Sequence, residues 1–228
     1  MLRTAEDSVA GVGSLGPGAS VTALRADPRA PGYVIIEVNR ARYASLPIEA
    51  VNPLGLSVGR ELDPPALERL RHLGDVEASG RVAIRLLAAR PRAVNELLRR
   101  LRERGHNPSA AAEAVGRLES KGILNDAEFA RHFVRLRAER GLGRSRLLRD
   151  LITRGVDRLV AERAIDEVLA AEGVDALRQA RALANRRAAQ LKDLPADRLQ
   201  VRLLGYLARR GFQGGEVREL VRQVVLAR

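Results

Sequence analysis

Residues 97–105 read LLRRLRERG, and the same pattern returns as LLRDLITRG at 147–155 and as LLGYLARRG at 203–211. Each copy has leucine at its first, second and fifth positions and ends in Arg-Gly. Leucines four residues apart lie on one face of an α-helix, and glycine commonly ends a helix in the left-handed conformation. The pattern therefore predicts three equivalent helices, each with a buried leucine face and each followed by a terminating glycine.

Apolar residues also follow each glycine at fixed offsets, six, nine, ten and thirteen positions later. This spacing places them on one face of a second helix. The three sets are Ala111, Ala114, Val115 and Leu118; Ala161, Ala164, Ile165 and Val168; and Val217, Leu220, Val221 and Val224.

A further helix is predicted before each pair, at Val82–Ala89, Asp126–Ala138 and Asp175–Arg187. The capping-box pattern Asn125-x-x-Glu128 marks the start of the second of these. The chain is therefore predicted to be mainly α, with three tandem three-helix repeats at 81–124, 125–172 and 173–228. Modules this small are marginally stable alone, so we expect them to pack on their neighbours in a curved, elongated array.

The region before the repeats has a different pattern. Residues 1–20 are rich in Gly, Ser and Ala and are predicted to be a flexible tail. Short β-like runs follow at Val21–Leu24, Tyr33–Val38 and Arg42–Leu46, with a turn at Asn39-Arg40, and then a helix at Ala66–Leu73 that ends near Gly74. Residues 21–80 are therefore predicted to be a small α+β accessory domain.

Charge is distributed unevenly along the 228 residues, which carry a net charge of +12. Residues 1–80 hold 8 basic and 10 acidic residues, whereas residues 81–228 hold 32 and 18. A net charge of +14 on the repeats attracts polyanions, either nucleic acid or an acidic protein surface. The absence of cysteine removes disulfides and thiolate chemistry and fits a cytoplasmic location.

Arginine supplies nearly all of this positive charge, since only two lysines occur. Guanidinium groups fork onto phosphates or carboxylates, so a row of them along the repeats could follow an anionic track. The alternative for any single arginine is a solvated helix face paired with Glu or Asp. The arginines before the repeat glycines, Arg104, Arg154 and Arg210, are instead predicted to bond last-turn carbonyls. The candidate contact residues are Arg90, Arg92, Arg99, Arg100, Arg131, Arg135, Arg144, Arg146 and Arg209.

Signatures of catalysis are lacking in the sequence. The three histidines, His72, His106 and His132, form no metal or catalytic motif, and there is no phosphate-binding loop. Gly11, Gly13 and Gly16 spell G-x-G-x-x-G but lack the flanking strand and helix that a dinucleotide site needs. No catalytic residue, metal, cofactor or membrane association is expected, so the chain is predicted not to be an enzyme. It is also predicted to be a monomer.

Three stretches of the repeats resemble one family. ELLRRLRERGH after Arg90-Pro91-Arg92, GRLESKGILNDAEFARHFVRLRAERG at 116–141 and RLLGYLARRGF at 202–212 are similar, in order, to the bacterial RecX regulatory proteins. The resemblance covers about residues 81–228 and does not extend to the first 80.

The resemblance implies a non-enzymatic negative regulator of the RecA recombinase. Such proteins lie in the groove of the RecA filament on single-stranded DNA, block its extension or favour its disassembly, and so modulate recombination, DNA repair and the SOS response. The expected partners are thus RecA and the RecA–ssDNA filament, with non-specific binding to single- or double-stranded DNA as a further possibility. The alternative function is that of a general basic DNA-binding protein that acts through phosphate contacts.

Overall fold

The computed structural model describes residues 15–227, so the tail and G-x-G-x-x-G predictions fall largely outside the described residues. The chain divides into two compact units. The first holds the described residues up to 90 together with 97–123, and the second holds 91–96 and the described residues from 124 onward. Helices dominate both units, and the only sheet within the described range lies in the first.

The sheet of the first unit is a three-stranded antiparallel meander of β1 (Val21–Ala26), β2 (Tyr33–Val38) and β3 (Ala41–Pro47). Its β2–β3 turn is Asn39-Arg40, where φ is 51° and 65°. Two successive residues with positive φ make the tight turn that matches the twist of a hairpin. The predicted strands and turn are confirmed, with β1 and β3 slightly longer than expected. A short helix, α1 (Ile48–Val51), and a 3-10 turn at Asn52–Leu54 follow the sheet.

One continuous helix, α2 (Pro64–Ala89), replaces the two helices predicted in this region. The predicted end at Gly74 is wrong, because Gly74 stays helical and provides room for a side chain of the sheet. A Cβ at Gly74 would lie 3.3 Å from the Tyr43 hydroxyl oxygen. Glycine inside a helix costs only about 1 kcal/mol relative to alanine, so a packing requirement of this kind outweighs its tendency to end helices. The predicted domain boundary at 80/81 lies inside α2.

The second half of α2 serves as the first helix of repeat one. Arg117 of the repeat's last helix pairs with Glu77, at 3.2 Å, and with Glu113, at 2.8 Å. His72 Nε2 lies 2.8 Å from the other Glu113 carboxylate oxygen. One helix thus contributes its first half to the core under the sheet and its second half to the repeat.

The remaining helices follow the predicted order. Repeat one is completed by α3 (Val94–Glu103) and α4 (Pro108–Ser120); repeat two comprises α5 (Asp126–Ala138), α6 (Arg144–Thr153) and α7 (Arg158–Ala171); and repeat three comprises α8 (Ala176–Gln190), α9 (Ala196–Arg209) and α10 (Gly215–Leu226). Asn125 begins α5 as predicted, since its side-chain oxygen accepts a hydrogen bond from the Glu128 amide at 3.0 Å.

Leucine and alanine side chains build the repeat cores as the periodicity predicts. All twelve apolar residues at the four fixed offsets after the glycines are buried. The first and fifth leucines of each LLxxLxxRG copy are fully buried: Leu97, Leu101, Leu147, Leu151, Leu203 and Leu207. The prediction of a mainly α protein with three three-helix repeats after a small sheet is therefore confirmed.

Candidate interaction surface

Two of the three repeat glycines join neighbouring repeats as well as ending helices. Gly211, with φ of 92°, packs against the first turn of α6, where an added Cβ would lie 2.4 Å from the Arg146 amide nitrogen and 2.7 Å from the Gly143 carbonyl oxygen. The Gly143 amide donates a hydrogen bond to the Arg210 carbonyl at 2.7 Å. Gln179 of α8 adds a side-chain hydrogen bond to the Ala138 carbonyl, at 3.1 Å. Repeats two and three are thus held together by direct backbone contact.

The same joint occurs one repeat earlier. Gly155, with φ of 89°, packs against the first turn of α3, where an added Cβ would lie 2.8 Å from the Glu96 amide nitrogen. The Asn95 side-chain amide donates a hydrogen bond to the Gly155 carbonyl at 3.0 Å. Gly105 also has a positive φ, of 82°, but a Cβ there would have nothing within 4 Å. Two of the three glycines therefore have a packing role that the third lacks.

Most of the predicted contact arginines are paired with carboxylates of the chain itself. Arg144 forms a two-pronged pair with Asp166, with Nε–Oδ1 at 3.0 Å and Nη2–Oδ2 at 2.9 Å. These hydrogen bonds raise the pKa of Arg144 above its ordinary value. The other pairs are Arg99 and Arg100 with Glu103, Arg131 with Glu167, and Arg146 with Asp150. Their charge is largely compensated within the protein.

The last four predicted arginines differ in burial. Arg92 is 11% exposed and forms a 2.6 Å ion pair with Glu96, which is 5% exposed, so its guanidinium holds α3 in place and we leave it out of the contact surface. Arg90 is the C-cap residue of α2 and is exposed. Arg135 and Arg209 are also exposed, and neither forms an ion pair with any residue in the range 15–227.

A second set of arginines makes cation–π contacts with aromatic rings. The guanidinium carbons of Arg137 and Arg154 lie 5.3 and 5.0 Å from the centre of the Phe133 ring. In repeat three, the guanidinium carbons of Arg187 and Arg210 lie 5.8 and 5.0 Å from the centre of the Tyr206 ring. A cation over an aromatic face is attracted by the ring quadrupole. Arg154 and Arg210 hold the same position in LLxxLxxRG, whereas Phe133 lies on the first helix of repeat two and Tyr206 on the second helix of repeat three.

The two aromatic clusters are linked across the joint between repeats two and three. Arg210 Nη1 donates a hydrogen bond to the Arg140 carbonyl at 3.2 Å, and Arg140 follows Arg137 by one helical turn. Arg210 thus bonds a carbonyl beyond the end of α5 rather than one in its own helix. We call this set the arginine–aromatic strip: Phe133, Arg137, Arg140, Arg154, Arg187, Tyr206 and Arg210.

The strip's arginines lack acidic partners. Considering residues 15–227, none of the five forms an ion pair with a carboxylate, in contrast to six of the nine arginines chosen from sequence. Sequence reasoning missed Arg137, Arg140 and Arg187 and gave Arg154 and Arg210 a purely structural role. The available signal was the invariant position of an arginine before each repeat glycine.

Outside the strip, one histidine is buried beside a hydroxyl group. His106 is buried, and its Nδ1 lies 3.1 Å from the Ser79 hydroxyl oxygen. Burial lowers the pKa of His106 below its ordinary value. In the described part of the chain, no cluster of three or more His, Cys, Asp or Glu side chains has the geometry to hold a metal ion. No helix there is long and apolar enough to cross a membrane.

Comparison with known proteins gives a consistent result. Residues 81–118 match the family model of the RecX first three-helix domain, and residues 125–165 match that of the RecX second three-helix domain. Among curated relatives, the regulatory protein RecX of Halorhodospira halophila is 42% identical over 143 residues, which covers 62% of this chain and 85% of the relative. The regulatory protein RecX of Streptomyces coelicolor is 34% identical over 151 residues, covering 66% of this chain and 79% of the relative.

Solved structures share the fold. A crystal structure of regulatory protein RecX superimposes with a TM-score of 0.69 at 17% identity, covering 90% of this chain and 99% of the other. The crystal structure of RecX from Lactobacillus salivarius gives a TM-score of 0.55 at 19% identity, covering 67% and 97%. With two domain matches and relatives at 34–42% identity over most of their length, the chain belongs to the RecX family of regulatory proteins.

Proposed function

We propose that this chain is a negative regulator of the RecA recombinase that binds the RecA filament on single-stranded DNA and blocks its extension or promotes its disassembly. The relatives of this chain are regulatory proteins, which supports a regulatory role, and RecA as the partner is what the resemblance of the repeats implies. The observation that carries the proposal is the backbone joint between repeats two and three, in which the Gly143 amide bonds the Arg210 carbonyl at 2.7 Å. This joint fixes repeats two and three as one binding body.

Two rigidly joined repeats suit a polymeric target. Several contacts made by one rigid body bind in concert, so the affinity for neighbouring protomers exceeds the affinity for a single protomer by orders of magnitude. The repeats are strongly basic, which increases the association rate with an anionic partner. Both features favour the assembled filament over free recombinase as the target, and they require no catalytic group.

RecA ATPase activity on single-stranded DNA tests this proposal. The protein is added either before or after the filament assembles. Comparing the two orders of addition distinguishes a block of filament extension from filament disassembly. We expect hydrolysis to fall in both orders of addition, at fewer copies of this chain than of RecA, because one bound body affects several protomers. Unchanged hydrolysis at equimolar protein in both orders would overturn the proposal.

A further inference from the structure

We propose that copies of this chain associate head to tail, through a contact that repeats the joints between its own repeats. In the two internal joints, the glycine turn of one repeat packs on the first turn of the second helix of the preceding repeat. Within residues 15–227 of a single copy, two halves of such a joint stay unused: the glycine turn of repeat one and the first turn of α9. The contact requires no recombinase and no nucleic acid, so it goes beyond the proposed function.

The glycine turn of repeat one has the same structure as the two turns that form joints. The angle φ is 82° at Gly105, 89° at Gly155 and 92° at Gly211. In each turn, the amide after the glycine bonds the carbonyl of the fifth residue of LLxxLxxRG, at 3.2, 3.1 and 3.0 Å. Only the surroundings differ, since Gly211 is buried and Gly155 half-buried, whereas Gly105 is exposed. The turn of repeat one can therefore form the same joint with a partner.

Arg104, which precedes this glycine, has unused polar groups. Its counterpart Arg210 uses both of its own: the carbonyl accepts a hydrogen bond from the Gly143 amide, and the guanidinium donates one to the Arg140 carbonyl. Arg104 is exposed, and with the described residues its side chain forms no ion pair and its carbonyl accepts no hydrogen bond. It therefore presents one positive charge and one acceptor to a partner.

The first turn of α9 is the complementary half. No side chain caps this helix start, and residues 195–198 are all exposed. Relative to the leucine pattern, α9 begins four residues earlier than α3 and α6 do. Four residues are about one helical turn, so the first turn of α9 presents nearly the same face as the first turns of α3 and α6. The start of α9 can therefore receive a glycine turn as they do.

A groove beside this turn provides further contact area. It has a volume of about 460 Å³ and is lined by Leu194, Asp197, Arg198, Val201 and Arg202. Val201 is 70% exposed in the single copy. Removing this apolar side chain from water favours association.

Charge favours a second copy as the occupant. Asp197 is the second residue of α9, as Asn95 is the second residue of α3. The Asn95 side chain bonds the Gly155 carbonyl across the first internal joint, so a side chain at this position faces the glycine turn. Asp197 is exposed and forms no ion pair with any residue in the described part of the chain. In the proposed contact, its carboxylate pairs with the guanidinium of Arg104.

The two surfaces differ, so the contact is heterologous. A copy that binds through its glycine turn keeps its own α9 start free for the next copy, and such a contact extends a row unless the row closes into a ring. One turn packed on one turn buries less area than a standard protein interface, so the association is weak. The monomer predicted from the sequence is then the state at low concentration.

Sedimentation velocity of the full chain, without RecA or DNA, tests the contact from micromolar to millimolar concentration at about 0.15 M salt. R104E and D197R each place like charges across the contact, whereas an equimolar mixture of the two variants places opposite charges between unlike copies. R149E is the control that matches R104E in charge, because Arg149 is also exposed and forms no ion pair within the described residues. Circular dichroism confirms that every variant is folded.

We expect the average mass of the wild type and of R149E to rise with concentration without a plateau at twice the monomer mass. R104E and D197R alone should need concentrations more than about tenfold higher for the same rise, because like charges across an interface are strongly unfavourable. Their mixture should recover the association.

Several results would overturn the proposal: a wild type that stays monomeric, single variants that associate as well as the wild type, an equal loss in R149E, a mixture that stays monomeric, or a plateau at the dimer. RecA is absent from this experiment, so its outcome is independent of the ATPase test.

Discussion

The repeat glycines provide a graded test of the joint between repeats. Gly105, Gly155 and Gly211 share a positive φ and the same place in the sequence pattern, but only the last two pack against a neighbouring helix. Alanine in a left-handed conformation costs roughly 1 to 2 kcal/mol. We expect that to be the whole effect of Gly105→Ala, because the added methyl has nothing within 4 Å.

Gly211→Ala adds a collision that flexible side chains cannot relieve. The new methyl would lie 2.4 Å from the Arg146 amide nitrogen and 2.7 Å from the Gly143 carbonyl, so the joint must open. Opening breaks the hydrogen bonds Gly143 N–Arg210 O and Arg210 Nη1–Arg140 O, each of which contributes about 1 kcal/mol net. Added to the left-handed cost, the total loss is about 3 to 4 kcal/mol. Gly155→Ala should fall between the two, since its closest backbone contact is looser, at 2.8 Å.

Urea unfolding followed by circular dichroism measures these losses as shifts of the midpoint. A lower slope for Gly211→Ala would further indicate that the repeats unfold separately once the joint is opened. If Gly105→Ala destabilised the protein as much as Gly211→Ala, the joint would not be the reason for glycine at these positions.

Two further predictions concern charge and pH. The double variant R135E/R209E reverses the charge of two exposed arginines that have no carboxylate partner in the described chain. It should weaken RecA inhibition more than R99E/R100E, because Arg99 and Arg100 are already paired with Glu103. Equal effects of the two double variants in the ATPase assay would contradict this ranking. Burial lowers the pKa of His106 in the folded state, so the unfolded state binds more protons and stability should fall as the pH drops below about 6.5. His106→Gln should lose less stability than the wild type between pH 7 and pH 5 in thermal unfolding, and an identical loss would assign the pH dependence to other groups.

The sequence was sufficient to predict the repeats because their signal is local. LLxxLxxRG contains both the buried face of each second helix and the glycine that ends it. Every residue that determines these two features lies within one or two helical turns of the others. The continuity of α2 could not be predicted in the same way. Gly74 has the usual properties of a helix terminator, and only the approach of Tyr43, from 31 positions earlier in the chain, shows why it stays helical.

The candidate surface was less predictable because charge pairing is non-local. The partners of Arg131 and Arg144 lie 36 and 22 residues away, on another helix. Pairing within a helix, as for Arg99 with Glu103 four residues later, could have been recognised from spacing. Stacking of Arg210, the C-cap residue of α9, on Tyr206 is likewise a four-residue relation, but its link to Arg140 depends on how two repeats meet.

The central claim is that this chain acts on the recombinase filament, and its preference between coated and bare DNA tests that claim most directly. Fluorescence anisotropy with one labelled single strand, bare or coated with RecA and a non-hydrolysable nucleotide, gives both affinities at about 0.15 M salt. We predict markedly tighter binding to the coated strand, with a weaker salt dependence than for bare DNA. Equal or tighter binding to the bare strand would contradict the claim. General DNA binding would then be the function of the basic repeats.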